Sequence, residues 1–162
     1  MKKPREYNLL IFAKFCFVLF FLLFALTAKS QVSSLTVISN PKGSPTSLKF
    51  SELRSIFLGE QQRWRGGTKV IIALMKTITA AGKSTSIRVY GMSGDQLNKH
   101  WLALVFQGKA AAPNFFNSTT ELENFVAQNP GAIGILDQEP ATNDVKTVMI
   151  EGKKSLQYRQ VN

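Results

Sequence analysis

The chain has almost no cysteine, almost no histidine and few acidic residues. One cysteine, Cys16, excludes a disulfide framework within the chain. One cysteine with one histidine, His100, also excludes a zinc knuckle or another Cys/His-rich metal site. No Gly-Lys-Ser/Thr phosphate loop follows Gly66-Gly67, which reads as a turn. No nucleophile–base motif is present, and His100 lies mid-helix beside Trp101, off the apolar face, as a surface residue. Glu52, Asp95 and Glu121 each suit the first turn of a helix, which leaves few carboxylates for acid–base work. No catalytic residue, metal ligand or cofactor is therefore assigned. What is present is 162 residues, 44% of them hydrophobic, enough for one domain with a core.

Ten acidic residues stand against 20 Lys and Arg, for a net charge of +10. Part of that charge is an address. Lys2, Lys3, Arg5 and Lys14 precede an uncharged run, Phe15 to Ala28, and Ala28-Lys29-Ser30 follows with small residues at the two inspected positions. This is the pattern of a secretory signal over residues 1–30. The run falls short of the roughly 20 residues that span a bilayer. Extending it back to Leu9 would place Lys14 inside, so an uncleaved anchor is the alternative. Ala-Lys-Phe-Cys16 lacks the small-residue approach of a lipoprotein site. Without residues 1–30 the net charge falls to +6, spread out except at Arg63/Arg65 and Lys153/Lys154. No basic run interleaves with aromatics, so nucleic acid is not expected as a partner. After cleavage no stable membrane anchor remains. The chain is expected to be exported, and periplasmic if its source has an outer membrane.

Beyond residue 30, strands and helices alternate. Leu35 to Ser39 reads as a buried strand, and Asn40 to Pro45 as a loop. A helix is expected from Ser51 to Phe57, capped by Ser51 and stopped at Gly59. Thr68 to Leu74 reads as a second strand. Met75 to Lys83 is ambiguous, with Ala80-Ala81-Gly82 as the expected break. Ser84 to Tyr90 reads as a short helix closing at Gly91. Ser93…Gln96 and Ser118…Glu121 are capping boxes. The first opens a helix with Leu97, Trp101, Leu104 and Val105 inward; the second opens one with Leu122, Phe125 and Val126 inward. Gly131 to Leu136 and Val145 to Ile150 read as strands, the former packed closely against a neighbour. The pattern predicts an α/β domain over residues 31–152 with a mostly parallel or mixed sheet. Residues 153–162 are a polar tail that the pattern does not place.

One constellation suits an anion. Lys83-Ser84-Thr85-Ser86 precedes or opens the expected helix, and Arg88 lies in its first turns. Free N–H groups and the helix dipole favour negative charge at such a place, and hydroxyls and a cation add to it. An ordinary hydroxyl-capped helix is the alternative.

Several stretches in order also resemble a known family. They are Leu35 to Pro45, Leu53-Arg-Ser-Ile-Phe-Leu-Gly59 with Trp64, Trp101 to Gly108, Pro113, and Asn129-Pro-Gly-Ala-Ile-Gly134. Together they resemble the phosphate-type periplasmic substrate-binding proteins in a short, single-lobe form. The resemblance implies an α/β fold like the second lobe of a type II periplasmic-binding protein, a mixed sheet flanked by helices. It also implies phosphate contacts from Ser84, Thr85, Ser86 and Arg88. The chain departs from the family in lacking the glycine-rich loop of the first lobe and the Ser-Gly-Thr order of the second, and in carrying Ile135 where a Tyr is usual.

The implied function is an exported, non-catalytic domain that binds phosphate or another oxyanion in connection with transport. One lobe leaves the anion open to water, so a protein partner or a second copy would complete the site. The alternative is an envelope protein–protein module that has lost its ligand.

Overall fold

The computed structural model describes residues 32–159. The expected signal segment lies outside the described residues. Among those described, no helix is long and apolar enough to cross a membrane.

The chain order is β1 (Val32–Ser39), β2 (Ser47–Leu48), α1 (Phe50–Phe57), β3 (Ile71–Met75), α2 (Ala80–Thr85), α3 (Gly94–Phe106), β4 (Asn114–Phe116), α4 (Thr119–Gln128), β5 (Ala132–Leu136), β6 (Lys146–Thr147), β7 (Met149–Ile150) and β8 (Leu156–Arg159). A π-helical stretch, Ser86–Tyr90, continues α2. The main sheet runs β4-β3-β5-β1-β6, with β8 also paired to β1. β3 is parallel to β4 and β5, and β1 is antiparallel to β5 and β6. β2 and β7 form a separate parallel pair. The sheet is mixed, as the alternation of elements predicts.

The inner strands β1 and β5 are buried on both faces, and successive side chains divide between two cores. Leu35 and Val37 of β1, Leu74 of β3 and Ile133 and Ile135 of β5 point to one core, with α1, Val89, Tyr90, Leu97 and Trp101. Ile38, Ala73, Met75, Ala132 and Leu136 point to the other, with Ala81 and with Leu122 and Val126 of α4. A Cβ at Gly134 would lie 2.7 Å from Leu122 Cδ2, so this strand is the closely packed one that the sequence predicts. The loop after β1 is tied to α4 by Asn40, whose Nδ2 donates to the carbonyls of Val126 (2.9 Å) and Ala127 (2.8 Å).

Several expectations need correction. α1 opens at Phe50 and not at Ser51; its cap position is Lys49, whose N–H donates to Glu52 Oε2 at 2.9 Å. The second strand starts at Ile71, because residues 63–69 form a turn whose ends meet at an Arg63–Lys69 bridge. Ala80-Ala81-Gly82 is the first turn of α2, not a break. On α3, Leu97 and Trp101 are buried and Leu104 is half-buried, but Val105 is 42% exposed and lies outside the buried stripe. The expected strand Val145 to Ile150 is two short strands that serve different sheets. Leu156–Arg159 of the unplaced tail is a strand on β1.

Candidate functional site

Because β3, β4 and β5 are parallel, their carboxyl ends share one edge of the sheet. Ligands of open α/β sheets bind at such edges. Two helices start there: α2 after β3, and α4 after β4. The β3–α2 junction is Lys76-Thr77-Ile78-Thr79. Lys76 N–H donates to the Phe116 carbonyl of β4 at 2.9 Å, which fixes the junction to the neighbouring strand. Thr79 caps α2: its Oγ1 accepts from Gly82 N–H at 3.0 Å and donates to the Lys76 carbonyl at 2.8 Å. The Lys76 side chain is exposed and Thr77 is half-buried. Thr77 packs against Gly94 in the first turn of α3, where a Cβ would lie 2.9 Å from Thr77 Cβ. Lys76 and Thr77 thus lie directly before the capped start of α2.

The four residues expected to bind an anion are distributed differently. None lies at a helix start, since α2 opens at Ala80. Ser84 is half-buried, and Thr85 and Ser86 are buried, at 2% and 0% exposure. Ser86 Oγ donates to the Met92 carbonyl at 2.7 Å, which closes the loop between the π-helical stretch and α3. Arg88 is exposed and engaged in an interaction of its own. The structure does not bring the four together on one open surface. The sequence reading did not single out the Thr79 cap or its neighbours Lys76 and Thr77. The available signal was Thr79 three residues before Gly82, a cap without the Glu or Gln that marks a full capping box.

Several other polar side chains are engaged within the fold, although the buried Ser39 Oγ, Tyr90 Oη and Trp101 Nε1 have no hydrogen-bond partner among the described residues. His100 is half-buried and not on the surface as expected: its Nε2 lies 3.2 Å from the Leu58 carbonyl, and its ring meets Trp101 edge-on. A cavity of about 630 Å³ opens beside α1, but the Arg65–Glu52 ion pair across it, 3.1 Å, balances its charge. The Lys49 amide holds the Glu52 carboxyl below its ordinary value, with desolvation opposing and Arg65 adding to the effect. Tyr90 is buried at the centre of the first core, and burial pushes its phenol far up, with the Trp101 side chain opposing. No group of three or more His, Cys, Asp or Glu side chains suited to a metal occurs among the described residues.

Comparison with solved structures gives the fold a context. The chain matches an ABC-type phosphate transport receptor from Vibrio cholerae with a TM-score of 0.60 and 15% identity, over 77% of this chain and 49% of that one. It matches a phosphate ABC transporter substrate-binding protein with bound phosphate from Clostridium perfringens with a TM-score of 0.60 and 12% identity, over 75% and 46%. A third match is PstS from Borrelia burgdorferi, with a TM-score of 0.57 and 14% identity, over 75% and 49%. The shared fold is that of phosphate-transport binding proteins. The chain spans about half the length of these proteins, as a single-lobe form does. No protein-family model matches the sequence, and no curated protein does.

Proposed function

We propose that this chain is an exported, non-catalytic domain that binds a small oxyanion, phosphate foremost, in a role linked to transport. The observation that carries this reading is the fold shared with phosphate-transport binding proteins over about half of their length. The anion is assigned to the β3–α2 junction. Lys76, Thr77 and Thr79 precede the first turn of α2, whereas Lys83 to Thr85 lie within the helix and Ser86 closes it. Lys76 supplies the charge. Thr79 already uses its oxygen on Gly82 N–H, so the remaining first-turn N–H groups and Thr77 supply donors. The site is open to water on one side, where charged contacts are weak, so the dissociation constant is expected at about 1 mM. A second copy or another protein covering this edge would tighten it.

Thermal unfolding in phosphate, sulfate or chloride at equal ionic strength tests the reading. Phosphate is expected to raise the midpoint most, and Lys76→Gln to abolish the difference. Equal midpoints in all three salts contradict it.

One observation favours a second reading, a protein-docking module without ligand. The end of α3 exposes Leu102 (58%) and Phe106 (82%) beside Val105, an apolar face with no partner among the described residues. On that reading phosphate has no effect, and Phe106→Ser abolishes self-association or partner capture.

A further inference from the structure

A second cleft shares Glu151 with the cavity beside α1 and Arg88 with the expected anion residues, but none of the β3–α2 junction. It has a volume of about 640 Å³ and is formed where the start of α1, the π-helical stretch and the β7–β8 turn meet. Its charge comes from Lys153 and Lys154, with Arg88 on the wall. Both lysines are exposed and neither makes an ion pair or a side-chain hydrogen bond to a described residue. Arg88 is already engaged, so the argument rests on the lysines. Phe50, Ile150 and Leu156 supply apolar surface, and Glu151 supplies a carboxylate.

The turn that carries the lysines is held in an unusual shape. Ile150 and Lys153 exchange both backbone hydrogen bonds, at 2.8 and 2.9 Å, around Glu151 and Gly152. Both central residues have positive φ, 51° and 79°. Asn-Gly is the ordinary choice for such a turn. Glu151 is the one non-glycine residue with positive φ among those described. A strained residue next to a cleft is a reason to look for function there. The turn places Lys153 at its end and Lys154 next to it, and both line the cleft.

We infer that this cleft binds a phosphate monoester of a hydroxylated organic molecule. Two neighbouring lysines attract the nearly two negative charges of a phosphate monoester at neutral pH more strongly than the single charge of a carboxylate. The volume lies in the range of organic ligands, and the Phe50 and Leu156 walls suit an organic body. Glu151 on the lining offers an acceptor for a hydroxyl of that body. The assignment is independent of the β3–α2 junction, whose charge is Lys76.

The test uses the purified protein with glucose 6-phosphate, glucose and inorganic phosphate in separate calorimetric titrations. It adds cosedimentation with vesicles of phosphatidic acid in phosphatidylcholine, set against phosphatidylcholine alone. Saturable binding of glucose 6-phosphate, weaker binding of glucose and inorganic phosphate, and a roughly tenfold loss in Lys153→Gln/Lys154→Gln are expected. Lys99→Gln/Lys109→Gln removes the same charge from other exposed positions and is expected to bind as the parent does. Cosedimentation lost in the 153/154 variant places the ester on a lipid; soluble binding alone places it on a free metabolite. The inference is overturned if neither ester binds, or if the 153/154 and 99/109 variants lose affinity equally. Lys76→Gln leaves this binding unchanged, which separates it from the reading above.

Discussion

Gly82→Ala is expected to weaken the protein although it places the best helix former inside a helix. Propensity alone favours alanine there by about 1 kcal/mol. Packing opposes it. A Cβ at position 82 would overlap the Lys76 carbonyl oxygen and lie 2.6 Å from its carbon and 2.7 Å from the Met75 oxygen. These are backbone atoms at the end of β3, not the free end of a side chain. The Lys76 oxygen also accepts from Thr79 N–H at 2.9 Å and from Thr79 Oγ1 at 2.8 Å, and Lys76 N–H is tied to Phe116. To make room, α2 must leave the sheet or the cap must break. Overpacking costs about 1–3 kcal/mol, and loss of a threonine cap about 1 kcal/mol. The net expectation is a loss of about 1–3 kcal/mol. In urea, with a slope of about 2 kcal/mol/M, the midpoint falls by roughly 0.5–1.5 M at unchanged slope. Any phosphate-specific stabilisation is lost as well, because the same movement displaces Lys76 and Thr77. A Gly82→Ala protein as stable as the parent, or more so, refutes the contact between α2 and the β3 end on which the site is built.

Asn40→Ala removes two side-chain donors from buried carbonyls at the end of α4 and the acceptor of Lys42 N–H; a loss of about 2–3 kcal/mol is expected by denaturant unfolding. Gly134→Val drives a branched side chain into Leu122 and Val126 and is expected to lower stability by about 1–3 kcal/mol, read by the same assay. The Glu52 carboxyl is held below its ordinary value, so its contribution is present above the unfolded value and lost as pH falls through the folded one. An acid titration of thermal midpoints is therefore expected to be shallower in Glu52→Gln than in the parent, with the difference confined to the carboxylate range.

The parts of the fold that were legible in the sequence are those fixed by local chemistry. Ser93 and Gln96 hydrogen-bond each other's backbone as their spacing predicts, at 3.3 and 2.8 Å. Gly59 and Gly131 turn with φ of 80° and 81° where the pattern ends a helix and opens a strand. What was not legible depends on distant partners. Ala80-Ala81-Gly82 reads as a break because the reason for Gly82 is the Lys76 carbonyl across the junction, not the helix itself. β4 has three residues, too few for a period, and exists because Ala73 to Met75 pair with it. Val105 has the spacing of a core residue but is 42% exposed, because spacing alone does not show where the packing of a helix face ends. Ser84 to Ser86 have the composition of a helix start, and only the position of Thr79 shows that the helix has already begun.

The most direct test of the central claim is an amide NMR titration of the purified protein with phosphate, referenced to chloride at equal ionic strength. The account predicts saturable shifts centred on Lys76 to Ala81 that disappear in Lys76→Gln. Shifts absent from that junction, or equal with chloride, contradict it.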